Sequence, residues 1–293
     1  MFQKIKEITG HAGAVYCSSF DGKFLYTGSA DQFVTRWKLN EGIQDSFAIK
    51  MNQPVYALAF ITPNQLAVGL GNGSIHIFDL EQKQEIKHFT QHIKGVFSIT
   101  SNNVKNHFYC GDADGNLSIW NSLTLELLLY LPLDCGKIRK IRIAEKGDLM
   151  IVACQDTTIR IFETNGYNEI TTIKGHAGGT TIADFHPTNA DILLSGGKDA
   201  LLKIWNWKTE TLIKEIPAHN YVIYDIQFTE ENFITASRDK TIKIWNLENF
   251  EFIQRLDTKS KGHKHSVNGL QLINNQLFAS ISDDKKIIIW DNK

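Results

Sequence analysis

The sequence predicts an all-β protein built as a closed ring of seven small antiparallel sheets, and three observations carry that prediction. Strand-length apolar runs end in an aromatic residue followed by a polar one at seven places: Trp37-Lys38, Phe78-Asp79, Trp120-Asn121, Phe162-Glu163, Trp205-Asn206, Trp245-Asn246 and Trp290-Asp291. Successive pairs stand 40 to 45 residues apart, a period too long for a helix or hairpin. Such spacing marks a repeated supersecondary unit that buries its faces only against copies of itself. Within each interval the apolar residues alternate in short runs broken by turn residues, the pattern of strands rather than helices.

Each unit reads as strand, turn, strand, tight turn, strand. In the sixth, the strands are Tyr224 to Phe228, Phe233 to Ser237 and Thr241 to Trp245, separated by Thr229-Glu230-Glu231-Asn232 and Arg238-Asp239-Lys240. A fourth strand follows each aromatic, as in Thr211 to Ile216 or Glu169 to Ile173, so the unit is a four-stranded antiparallel sheet with short edges. Repeats from end to end predict one domain, residues 1–293, although the length alone would allow two.

Apolar residues make up 42% and charged residues 22% of the 293, ordinary for a globular chain. No apolar run reaches the roughly 18 residues that would span a bilayer. The N-terminus, Met1 to Ile8, alternates polar and apolar residues and lacks the apolar core of a signal peptide; a cytoplasmic protein is expected. Cys17, Cys110, Cys135 and Cys154 include no C-x-x-C pair, and three lie in predicted strands, so they are read as reduced thiols. A formal charge of -1 gives no bulk attraction to nucleic acid or anionic membrane.

With these residues in place the chain resembles a WD40-repeat β-propeller, whose units carry a Gly-His near the start and a Trp-Asp at the end. The resemblance runs through essentially the whole sequence. The His position is filled by His11, His92, His176, His219 and His263, but by Met51 in the second unit and Asp134 in the fourth. Six residues before each closing aromatic stand Asp31, Asn72, Asp114, Asp156, Asp199, Asp239 and Asp284. Four residues earlier come Thr27, Val68, Cys110, Val152, Ser195, Thr235 and Ser280, where the family places a hydroxyl linking the His to the Trp.

Four units therefore carry a full set: His11, Thr27, Asp31, Trp37; His176, Ser195, Asp199, Trp205; His219, Thr235, Asp239, Trp245; and His263, Ser280, Asp284, Trp290. Partly buried carboxylate, imidazole, hydroxyl and indole N–H satisfy one another only as a connected chain. A His, Ser and Asp together suggest a catalytic triad, but recurrence with a Trp at fixed offsets argues for a structural staple. Units two and four replace hydroxyl and indole together (Val68 and Phe78, Val152 and Phe162), which strands no buried polar group. The third unit has Cys110 as its link, and a weaker staple is expected there. Residues Gln3 to Ile8 form one unclaimed strand, while little chain follows Trp290; the N-terminal strand is expected to complete the seventh blade and close the ring.

Three segments imitate ligand loops. Gly69-Leu70-Gly71-Asn72-Gly73 precedes a strand, where a phosphate loop would open a helix. Asp112-Ala113-Asp114-Gly115-Asn116 lacks the Gly and Glu of a calcium loop at the sixth and twelfth positions. His263-Lys264-His265 has one His already assigned and no third ligand. Neither metal nor cofactor is expected. Asp184 and Asp225 are read as solvated groups facing the central channel.

What the resemblance implies for binding is a ring of contact positions three and five residues after the His site and one before the Asp site. Five after stand Tyr16, Tyr56, Phe97, Arg139, Thr181, Tyr224 and Asn268; three after, Lys137 among small residues; one before the Asp, Lys198 and Arg238. Tyr16, Tyr56, Phe97 and Tyr224 with Lys137, Arg139, Lys198 and Arg238 form the candidate contact set, because aromatics and Arg dominate binding hot spots. The expected function is a non-enzymatic, monomeric interaction platform for a protein or peptide bearing an acidic stretch beside a hydrophobic one, with no nucleic acid and no membrane. The alternatives are a hydrolase or isomerase with a metal in the channel, or a nucleic-acid-binding propeller. Trp207 is expected toward the opposite face.

Overall fold

Short alternating runs bounded by Asp-, Asn- and Gly-rich turns give seven four-stranded antiparallel sheets in the computed structural model, which describes residues 1–292. They are the blades of the seven-bladed β-propeller that the repeats predict, and apart from one short 3-10 turn at Thr258–Ser260 every regular element is a strand. The strands of the sixth blade run Ile223–Phe228, Asn232–Ser237, Ile242–Asn246 and Phe252–Leu256, within a residue or so of the sequence-based boundaries. Its second strand is buried along nearly its whole length, whereas the outer strand of the fifth blade, Thr211–Ile216, has no buried residue. The core of each blade thus lies in its inner strands, where aliphatic and aromatic side chains meet the next sheet.

The N-terminal strand, Phe2–Thr9, pairs antiparallel with Lys286–Asn292 and completes the seventh blade. Phe2 and Ile8 are buried, and the Phe2 ring meets Phe278 edge-on at 5.1 Å. The Phe2 amide donates to Gln254 Oε1 at 2.9 Å, and Gln254 Nε2 donates back to the Phe2 carbonyl at 2.7 Å. The strand that closes the ring is therefore held by its own sheet and by the outer strand of the sixth.

Compactness divides the chain into two units, Met1–Val55 with Tyr221 onward, and Tyr56–Asn220. The first holds blades one, six and seven, the second blades two to five. Within each unit a side chain from an inner strand reaches the backbone of the next blade. Ser98 Oγ accepts from the Ile141 amide at 2.9 Å in the second unit, and Asp225 Oδ2 accepts from the Leu270 amide at 3.0 Å in the first. Asn268 Nδ2 donates to the Val15 carbonyl at 2.9 Å. The expectation for Asp225 and Asp184 is corrected here. Asp225 is 2% exposed and bonds the neighbouring blade, while Asp184 Oδ2 lies 2.9 Å from Arg142 Nε of the preceding blade. Buried carboxylates require such partners.

Candidate interaction face

The loops that precede most of the blades are positioned by buried polar chains. In the first blade His11 Nδ1 lies 2.8 Å from Asp31 Oδ2, His11 Nε2 lies 2.8 Å from Thr27 Oγ1, and Trp37 Nε1 donates to Thr27 at 2.6 Å. Thr35 Oγ1, also 2.8 Å from His11 Nε2, adds a member that the repeat pattern did not single out. The fifth blade repeats the arrangement through His176, Asp199, Ser195 and Trp205, all at 2.8 Å. The seventh does so through His263, Asp284, Ser280 and Trp290 at 2.8 to 3.0 Å. In the sixth, Trp245 Nε1 donates to Thr235 at 3.0 Å, Asp239 Oδ1 accepts from the Thr241 amide at 3.0 Å, and His219 is buried.

Burial pushes the His11 imidazole below its ordinary value, against the hydrogen bond and charge of Asp31. Burial alone would raise the Asp284 carboxyl, but His263 and the Lys264 amide outweigh it and hold the group down at about 2. Asp31 and Asp199 are lowered by the same balance. The Asp–His–Ser order matches that of a hydrolytic triad. However, Ser195 and Ser280 are wholly buried, and each hydroxyl already accepts an indole N–H. A nucleophile must reach its substrate, and these cannot.

The third blade is wired differently from the sequence expectation. Its carboxylate is Asp112, whose Oδ2 lies 2.7 Å from His92 Nδ1, and its hydroxyl is Ser118, 2.7 Å from both His92 Nε2 and Trp120 Nε1. Asp114 is exposed, and Cys110 is a buried thiol held protonated by desolvation. Asp112 also accepts from the amides of Asp114 and Asn116 and from Asn116 Nδ2, which makes the calcium-like segment a self-satisfied turn. A signal was available: Ser118 stands two residues before Trp120, as Thr35 does before Trp37, on the same face of the third strand.

In blades two and four the buried Val68, Phe78, Val152 and Phe162 replace the polar chain with apolar packing. The fourth blade instead uses Arg160, which donates to the Leu133 carbonyl at 2.9 Å and pairs with Asp156 at 3.0 Å. Trp207 is buried at 6% exposure, packs edge-on against Phe185 and donates its indole N–H to the Ala190 carbonyl at 2.8 Å. It is a packing residue.

Two of the three contact positions are joined by backbone. The residue before the Asp site donates its N–H to the carbonyl three residues after the His site in six blades: Ala30 to Ala14, Ala113 to Gly95, Gln155 to Lys137, Lys198 to Gly179, Arg238 to Val222 and Asp283 to Ser266, at 2.8 to 3.0 Å. Each pair of loops is thereby clamped side by side.

Where these loops run into the inner strands, the second unit brings four of the candidate residues together, Lys137 on its loop and Tyr56, Phe97 and Arg139 at the second residue of their strands. Tyr56 and Phe97 stack with ring centroids 4.6 Å apart at 16°. Lys137 Nζ sits 3.8 Å from the Phe97 centroid and Arg139 Cζ 5.9 Å from it. A ring stacked at that distance leaves no room for an ammonium on the same side, so Phe97 is sandwiched between Tyr56 and Lys137. Both Tyr56 and Phe97 are half-buried. Burial, then the charges of Arg139 and Lys198, lower the Lys137 ammonium from its ordinary value. Lys198 is exposed on the fifth blade. In the first unit Tyr16 and Tyr224 are half-buried and Arg238 is exposed. Among the described residues no group of three or more His, Cys, Asp or Glu side chains is arranged to hold a metal ion, and no helix is long and apolar enough to cross a membrane.

The model of the WD domain, G-beta repeat matches residues 2–38, 83–121, 167–206, 210–246 and 254–291, more than half of the chain. The chain belongs to the WD40 family. The unmatched stretches contain the two blades that close on Phe78 and Phe162, the WD40 units without His, hydroxyl or Trp. Among curated relatives, the nuclear distribution protein nudF 1 of Talaromyces marneffei is 34% identical over 41% of this chain and 26% of its own length. The nuclear distribution protein PAC1 of Candida dubliniensis is 38% identical over 38% of this chain and 23% of its own. Protein tipD of Dictyostelium discoideum is 24% identical over 98% of this chain and 48% of its own. The WD40 chain described here thus spans about half, or less, of these relatives.

Proposed function

We propose that this WD40 chain is a non-enzymatic, monomeric, cytoplasmic interaction platform whose partner docks on the clamped loops. The partner is a protein or peptide that presents carboxylates beside an apolar group. The observation that carries the reading is the Tyr56–Phe97–Lys137 stack flanked by Arg139, in which rigid aromatic area and like charges are gathered at one place. Collecting cations costs free energy that an anionic partner recovers, and stacked aromatics supply contact area at little entropic cost. Tyr16, Tyr224, Lys198 and Arg238 offer the same chemistry at the equivalent positions of their own blades.

The test is affinity capture with wild type and with the Tyr56→Ala/Arg139→Ala double variant, alongside circular dichroism of both. Loss of a specifically captured partner with an unchanged fold supports the face; full retention moves the site elsewhere. Binding of arbitrary single-stranded oligonucleotides with a steep salt dependence would favour the nucleic-acid alternative.

A further inference from the structure

On the fourth and fifth blades, two ammonium groups sit on abutting loops. The Gln155 amide donates to the Lys137 carbonyl, and the Lys198 amide to the Gly179 carbonyl, both at 3.0 Å. Gly179, at φ 125°, presses so closely on the fourth blade that a Cβ there would stand 2.9 Å from the Gln155 carbonyl oxygen. On the other side, a Cβ at Gly115 of the third blade would stand 2.7 Å from the Gly136 carbonyl oxygen. The loops of three successive blades are therefore in backbone contact, and one run of contacts leads from Lys137 through Gln155 and Gly179 to Lys198. Each ammonium is carried on a flexible four-carbon stem, so the two can close on one ligand. Neither lysine has a carboxylate partner among the described residues, although Asp114 and Asp134, the latter at the His position of its unit, are exposed on the adjoining turns. Other cations of these two blades are paired: Arg142 with Asp184, Arg160 with Asp156, Lys203 with Glu215 and Lys208 with Asp191. Lys137 is half-buried over the Phe97 ring, and the Arg139 guanidinium reaches the same ring.

We propose that the acidic group recognised by this face is a phosphate monoester, carried on a phosphorylated side chain of the partner and held by Lys137, Lys198 and Arg139. The inference rests on the reading that a protein partner docks on the clamped loops, and adds that docking depends on phosphorylation. A phosphate monoester brings about −1.5 to −2 charges at neutral pH and three acceptor oxygens, whereas a carboxylate brings a single charge and two oxygens. One phosphate therefore answers three cations that approach from two blades, while one carboxylate leaves them in mutual repulsion. A nucleic-acid backbone offers one charge per phosphodiester, which suits cations strung along a track rather than gathered at one point. The loop of the third blade presents Ile93, 83% exposed, an apolar contact for residues that flank the phosphate in a peptide.

The experiment titrates the intact chain with phenyl phosphate, benzoate and diphenyl phosphate, followed by NMR. Phenyl phosphate should bind about tenfold more tightly than either monoanion, the gain from one further charge-assisted contact. Lys198→Ala, at an exposed position, should weaken phenyl phosphate about fivefold and benzoate by less than about twofold. Equal affinity for the three probes, no saturable binding of phenyl phosphate, or an unchanged affinity in Lys198→Ala overturns the proposal. The wild-type comparison needs no variant to fold. In a second arm the chain captures partners from lysate before and after phosphatase treatment. A partner lost after treatment, and lost likewise with Lys198→Ala, is expected; equal capture from both lysates overturns the dependence on phosphorylation and leaves the platform itself standing. Sedimentation with phosphatidylcholine vesicles that carry phosphatidylinositol 4-phosphate, but not with phosphatidylcholine alone, would overturn the assignment to a protein. Phenyl phosphate is read without any partner, so its failure is distinct from a failure of docking.

Discussion

His92 Nδ1 and Asp112 Oδ2 meet at 2.7 Å with both side chains wholly enclosed. The carboxylate satisfies an imidazole, two amides and one carboxamide at once. Removing it leaves buried donors without partners, the costly half of the hydrogen-bond balance.

Asp112→Ala should therefore destabilise the protein by about 3–5 kcal/mol, the range for breaking a buried pair. Asp114→Ala, at an exposed position, should stay within about 0.5 kcal/mol. Urea denaturation of both variants checks the contrast. Equal losses would return the staple to the position expected from spacing.

The pH dependence follows from the same chains. Asp284 is held down at about 2, and Asp31, Asp112 and Asp199 are also lowered by their imidazole partners against burial. A carboxyl depressed in the folded state contributes stability that is complete above its unfolded value and is lost as pH falls through the folded one. His11, lowered by burial, likewise takes up its proton more readily when unfolded, so its loss begins below its ordinary value of 6.5. The melting temperature should be level above neutrality, decline gently below that point and fall steeply below about pH 4. A profile that rises on acidification would contradict the assignment.

Thr157 occupies φ 87°, the place held by Gly73 at 93° and Gly115 at 87° in the two preceding blades. A β-branched side chain is strained there. Thr157→Gly should stabilise by about 1 kcal/mol, since the relief exceeds the extra entropy glycine loses on folding. Thermal unfolding reads the gain, and a lower melting temperature would show that the threonine side chain repays its strain.

Deleting residues 1–9 removes Phe2 and Ile8 from the core and uncovers the Lys286–Asn292 strand as an open edge. An open edge is a template for association. The truncated chain should aggregate or melt several degrees lower; unchanged unfolding would sink the role of this strand in closure.

The repeat period, the strand alternation and the seven closing aromatics are local features, and they determined the blade count, the strand boundaries and the closing N-terminal strand. The staples of blades one, five and seven were legible for the same reason, since their members recur at fixed offsets on strands whose side-chain direction alternates regularly. Tertiary structure alone decided the rest. The carboxylate of the third blade shifted by two residues because Asp112 and Asp114 flank one turn and only the enclosed one can reach His92. Phe97 became a covered ring because side chains from the blades on either side of it converge there. Such meetings depend on how sheets pack against one another, a relation between residues far apart in the chain that no local spacing encodes.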